Sequence, residues 1–144
     1  MKRKLTLGLV SALAVAAFLG VGAVGADGEG ATASKANCQG TAFSPVQRQN
    51  KLISKGTLEC TGDVARSELE VCLEQRGRTG YRRVECHTGF RLRPGKYSVR
   101  VEHACRRAPD REFRTRAFLF LKDVNGQKAH GKAISPTPVF PRRC

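Results

Sequence analysis

The side chains in this chain that could do acid–base chemistry near neutral pH are first of all its three histidines, His87, His103 and His130. His103 lies two residues before Cys105 on the apolar side of an alternating run, the setting of a packed, hydrogen-bonded histidine. A small, basic, disulfide-rich protein could cleave RNA with Glu59 or Glu85 as base and a histidine as acid. The spacing of these residues matches no ribonuclease motif, so a small basic hydrolase of that kind stands as the rival reading. Ser67 has no Gly-x-Ser-x-Gly setting, and Gly77-Arg78-Thr79-Gly80 is too short for a phosphate loop and does not open a helix. Nothing in these patterns points to a cofactor, and the expectation is a protein that is not an enzyme.

The six cysteines, Cys38, Cys60, Cys72, Cys86, Cys105 and Cys144, are the next reactive set. Zinc would favour a Cys-x-x-Cys pair, and none exists. An even count in an oxidising compartment reads as three disulfides, which leaves no thiol for nucleophilic work and no metal site. The expected pairs are Cys72 with Cys86, Cys60 with Cys105, and Cys38 with Cys144. Six cysteines allow 15 connectivities, so only the first pair rests on local geometry.

The compartment follows from the N-terminus. Lys2, Arg3 and Lys4 precede an apolar stretch, and Val24-Gly25-Ala26 makes a small-residue cleavage site. Residues 1–26 therefore read as a secretory signal peptide rather than an anchor, so the mature form is expected outside the cell with no membrane span. Loss of the three basic residues in the leader takes the formal charge from +14 to +11. Residues 27–50, rich in Gly, Ala, Ser, Gln and Asn, read as a flexible N-terminal arm, and 51–144 as one domain.

Within the domain, short alternating runs at 56–60, 68–75, 81–87, 96–105, 112–122 and 127–134 alternate with turn signals. In 68–75 a helix competes on propensity, but Leu69, Val71 and Leu73 alternate strictly with Glu68, Glu70 and Glu74. Residues 117–121 form a continuous apolar run, which suggests burial on both faces. Asn125-Gly126 is a strong hairpin turn. The expected fold is all-β, a small antiparallel immunoglobulin-like sandwich of six or seven strands stapled by three disulfides. A three-residue loop of Arg78, Thr79 and Gly80 would set Cys72 opposite Cys86, closing a 15-residue loop worth about 3 kcal/mol. That register sets Val84 opposite Glu74 rather than on the face of Leu73. A four-residue loop from Gly77 to Gly80 would cure this but part the cysteines; a bulge at Gly80 is the favoured compromise.

Arginine is the remaining signal. Twelve of the 16 arginines beyond the leader fall between Arg76 and Arg116. A solvated surface is the bland explanation. The functional one is a basic loop patch, with Arg76, Arg78, Arg82, Arg83, Arg106 and Arg107 as its binding residues, facing an acidic protein surface or another anionic extracellular partner. Nucleic acid is disfavoured, because the chain lacks Trp and shows few aromatics for base stacking.

The segments Leu58-Glu59-Cys60, Glu70-Val71-Cys72-Leu73-Glu74, Arg83-Val84-Glu85-Cys86 and His103-Ala104-Cys105 resemble small secreted disulfide-rich β-sandwich proteins of actinomycetes. Some of these look like the adaptor subunit of umbrella toxin particles. The resemblance covers about 56–144. It implies a protein that bridges a lectin subunit and a large repeat-containing toxin subunit, its N-terminal segment engaging the lectin. The candidate segment here is 27–55, with Lys35, Arg48, Lys51 and Lys55. The expected function is a secreted, non-enzymatic interaction module.

Overall fold

The computed structural model describes residues 7–8, 35–105 and 111–141. Its elements are β1 (Leu7–Gly8), β2 (Asn37–Arg48), β3 (Lys51–Thr61), β4 (Val64–Gly77), β5 (Gly80–Arg91), β6 (Gly95–Ala104), β7 (Phe113–Asp123) and β8 (Lys128–Ile134). They form two antiparallel four-stranded sheets, ordered β1-β2-β3-β6 and β5-β4-β7-β8. Alternation decides which residues face inward. Leu52 and Leu58 of β3 and Val99 and Val101 of β6 meet Leu69, Val71 and Leu73 of β4 and Ala117, Leu119 and Leu121 of β7 in one core. Two glycines set how closely the sheets approach. A Cβ on Gly40 would lie 2.0 Å from Leu119 Cδ2, and one on Gly56 would lie 2.6 Å from Val71 Cγ2. The polar atoms inside are satisfied across the layers: Thr115 donates its hydroxyl to Ser54 Oγ at 3.0 Å.

The expected sandwich-like all-β architecture is present, with longer strands than the sequence runs suggest. The flexible arm is corrected in its second half. Residues 37–48 are strand β2, with Cys38, Gly40 and Ala42 buried against the opposite sheet. Their small, polar composition reads as linker, yet small residues are what a tightly approached strand requires. Residues 27–34, and the expected leader apart from Leu7–Gly8, lie outside the described residues.

Cys72 and Cys86 pair as expected, and Cys38 pairs with Cys60 instead of Cys144. Each bridge joins residues directly opposite in an antiparallel ladder, with Cα atoms 4.1 Å apart. The expected Cys60–Cys105 bridge fails on register. Both cysteines follow apolar faces, but β3 runs antiparallel to β6, so Cys60 meets Gly95 and Cys105 lies ten residues further along. At about 3.4 Å per residue the two are roughly 30 Å apart, several times the span of a disulfide. Cys105 is itself disulfide-bonded.

The β4–β5 hairpin resolves its conflict differently from the expected compromise. The loop is two residues, Arg78 and Thr79, closing on a Gly77–Gly80 pair, with Gly80 at φ +127°. The bulge falls at Val84, where the register steps from Glu74–Arg83 to Leu73–Glu85. One extra residue returns Cys86 to Cys72 and lets Val84 pack against the core.

Candidate functional site

Of the six arginines expected in the basic patch, four are described, all on the β4–β5 hairpin and all exposed. Arg106 and Arg107 lie outside the described residues. The four are not equivalent. Arg76 donates to Glu112 Oε2 at 3.1 Å, and the same glutamate accepts a hydrogen bond from the Tyr81 hydroxyl. Arg83 approaches Glu70 Oε2 at 3.7 Å and lies 4.8 Å over the Phe118 ring. The side chains of Arg78 and Arg82 have no hydrogen bond, ion pair or ring contact among the described residues. The tip of the hairpin is therefore less compensated than the strands that lead into it.

Away from the tip, the outward face of the second sheet uses its arginines internally. Glu74 points outward from β4, yet is only 1% exposed. Arg114 Nε donates to its Oε2 at 2.7 Å and Arg116 Nη1 to its Oε1 at 3.3 Å. Arg114 also stacks 3.7 Å from the Tyr81 centroid, and Arg116 lies 4.5 Å over Phe118. These contacts bury a carboxylate that would otherwise be costly, and they knit β4 to β7 and β5. The expectation that 117–121 is buried on both faces needs correction: Ala117, Leu119 and Leu121 face the core, while Phe118 and Phe120 are half-buried on the outer face. A shallow groove of about 340 Å³ lies there, lined by Glu68, Glu70, Thr88, Phe118, Phe120 and His130.

A second cluster sits where the edge strands β5 and β6 meet. His103 Nδ1 is 3.0 Å from Glu85 Oε2, and His87 Nε2 is 3.7 Å from Glu85 Oε1. His87 Nδ1 lies 3.0 Å from the Arg100 carbonyl, which it reaches by donating from that nitrogen. The sequence named each of these residues, but not their meeting: β6 and β5 belong to different sheets, and no periodicity reports that their edges touch. Tyr97 packs on the same flank, where burial raises its pKa above 10.0 despite the 3.3 Å hydrogen bond with Ser67. Glu59, the alternative base, lies on the outward face of β3 with Lys96 3.8 Å away. Glu70, Cys72 and Cys86 bring ligand-type atoms within 4.8 Å of one another, but both sulfurs are in a disulfide and offer no thiolate to a cation.

Of the basic residues in the N-terminal segment, Lys51 pairs with Glu102 at 3.0 Å and Lys55 lies 5.8 Å over Phe43. With Arg100 this holds the Glu102 carboxyl below its ordinary range, led by the Lys51 hydrogen bond. No helix among the described residues is long and apolar enough to cross a membrane.

A scan against protein-family models and a search of the curated proteins each found no match. Among solved structures, the chain is similar to a selenomethionine-labelled β-glucosidase from Kluyveromyces marxianus, at 10% identity and a TM-score of 0.41. It is also similar to the same enzyme in complex with glucose, at 7% identity and a TM-score of 0.41. Each similarity covers 74% of this chain and 15% of the enzyme chain.

Proposed function

We propose that this protein is a secreted, non-enzymatic interaction module that presents the tip of the β4–β5 hairpin to an acidic protein surface. The observation that carries this reading is the contrast between Arg78 and Arg82, exposed and unpaired among the described residues, and the neighbouring arginines already matched to carboxylates and rings. Unpaired guanidiniums on a chain of formal charge +11 once the leader is removed attract an anionic partner over a Debye length and can form bidentate bonds with its carboxylates. The disulfides and the leader-like N-terminus support export, and the two antiparallel sheets suit an immunoglobulin-like sandwich with loops gathered at its ends. The finer assignment, an adaptor subunit of an extracellular toxin assembly, rests on the residue resemblance. In that role the segment 27–55 has less freedom than an arm would, since 37–48 is held in a sheet. Capture of a partner from culture supernatant by the mature protein, with release on raising salt, is the expected result. Capture that ignores both salt and the Arg78→Glu/Arg82→Glu variant would overturn the proposal.

A second reading is favoured by the Glu85, His87 and His103 cluster: a hydrolase in which Glu85 takes a proton from a nucleophile and a histidine returns one to the leaving group. Incubation with RNA tests it. Turnover lost on Glu85→Gln and His103→Ala would establish this reading, and no turnover above the double variant would exclude it.

A further inference from the structure

The groove on the outer face of the second sheet is independent of the hairpin tip. Antiparallel register sets side chains in rows across β5, β4, β7 and β8. One row is Phe90, Glu68, Phe120 and His130; the next is Thr88, Glu70, Phe118 and Lys132. Outward neighbours in such rows lie within reach of one another, so the two rows act as one surface. The groove between them, about 340 Å³, falls in the range of roughly 300–1,000 Å³ usual for small-molecule sites.

Its lining selects by charge. Glu68 is bonded by Arg66, and Glu70 lies 3.7 Å from Arg83, so each carboxylate already faces a guanidinium. A cationic ligand gains little from acids matched in this way, and the excess of basic residues repels it. An anionic ligand would have to compete with Glu68 and Glu70 for Arg66 and Arg83, the guanidiniums that already hold them. A neutral molecule rich in O–H donors is what remains. Carboxylates are acceptors with lone pairs to spare after one guanidinium contact, while Thr88 and His130 can donate or accept. Phe120, half-buried and tilted against His130 at 5.1 Å, supplies apolar ring surface for the C–H side of such a molecule, beside a Phe118 ring already held by Arg83 and Arg116.

The site is also held in place. The Cys72–Cys86 bridge spans β4 and β5 in the adjoining row, its sulfurs beside the Glu70 carboxylate, and fixes the spacing of Glu70 from Thr88. A rigid floor reduces the ordering cost of binding. The geometry points to a binding site for a neutral oligosaccharide in this groove: Glu68 and Glu70 accept hydroxyl hydrogen bonds from one pyranose unit, and Phe120 packs against its C–H face.

The test titrates the mature protein with cellotriose, maltotriose and chitotriose at millimolar concentration, followed by backbone-amide NMR. At least one sugar is expected to produce saturable shifts at Thr88, Phe118, Phe120 and His130. Glu70→Gln, isosteric and outward-facing, should weaken that binding by about tenfold, the size of one lost charge-assisted hydrogen bond. Phe120→Ala should weaken it in the same direction. Arg78→Glu/Arg82→Glu should leave it unchanged, so this site and the hairpin proposal fail separately. No shift with any of the three sugars overturns the inference. So does sugar binding that both groove variants leave intact, or saturation of the same amides by acetyl-lysine amide in place of a sugar.

Discussion

Arginines at the hairpin tip and arginines on the outer face of the second sheet are the same residue used in opposite ways. Arg114 and Arg116 converge on Glu74, a carboxylate 1% exposed, and lie against Tyr81 and Phe118. Arg78 and Arg82, a few residues away along the hairpin, meet no such partner among the described residues. The difference follows from register. Residues on β7 stand beside Glu74 in the ladder, whereas Arg78 lies in the two-residue loop, beyond the last strand pair. Arg114 and Arg116 are absorbed because Glu74 stands within their reach; Arg78, in the loop, and Arg82, opposite the neutral Gln75 at the end of the ladder, face no carboxylate among the described residues. Net charge therefore overstates the surface available to a partner.

The comparison breaks first at Glu74. Glu74→Ala removes the shared acceptor of two part-buried arginines, and should cost about 3 kcal/mol in chemical denaturation, the low end for a broken buried pair because both guanidiniums keep some contact with water. A loss under about 0.5 kcal/mol, the size expected of an ordinary surface change, would mean that the sheet-face arginines are no more absorbed than those at the tip. Arg116→Ala should cost about 1 kcal/mol, since it ends one longer bond to Glu74 and one contact with Phe118 while Arg114 still pairs the acid. Arg78→Ala/Arg82→Ala should stay within about 0.5 kcal/mol of the parent.

Alkaline titration sharpens a further contrast, at the flank where Arg91 lies 5.6 Å over Tyr97. Burial raises the Tyr97 pKa above 10.0, so between the unfolded and folded values the native state holds the extra proton. Stability should then be fully present below pH 10 and fall as pH rises through the folded pKa. Tyr97→Phe should flatten that decline in a pH series of denaturation midpoints. An unchanged slope would assign the alkaline loss to other groups.

Alternation made much of the sandwich readable in advance. The inward faces of 68–75 and 96–105, the Cys72–Cys86 bridge and the Asn125–Gly126 turn are all local, set by neighbours two to fourteen positions away. What local patterns missed depends on distant chain. Strand β2 was illegible because Gly40 and Ala42 look like linker until Leu119 and the opposite sheet are placed over them. The Cys38–Cys60 bridge depends on that strand. Phe118 and Phe120 read as core in the sequence because an apolar run does not say which of its faces is covered. At the site, the sequence marked the hairpin as arginine-rich, but not which arginines carry partners: Glu112, which takes Arg76, is 36 residues away.

The most direct measurement is the association rate of the mature protein with the partner captured from culture supernatant, at low and physiological salt. Charges at a rim mainly steer encounter, so Arg78→Glu/Arg82→Glu should slow association about tenfold at low salt with little change in dissociation, and the gap should narrow as salt rises. Arg116→Ala, in the same assay, should associate like the parent. Equal rates for the parent and the hairpin variant, or a larger loss from Arg116→Ala, would contradict the account that the hairpin tip is where this protein meets its partner.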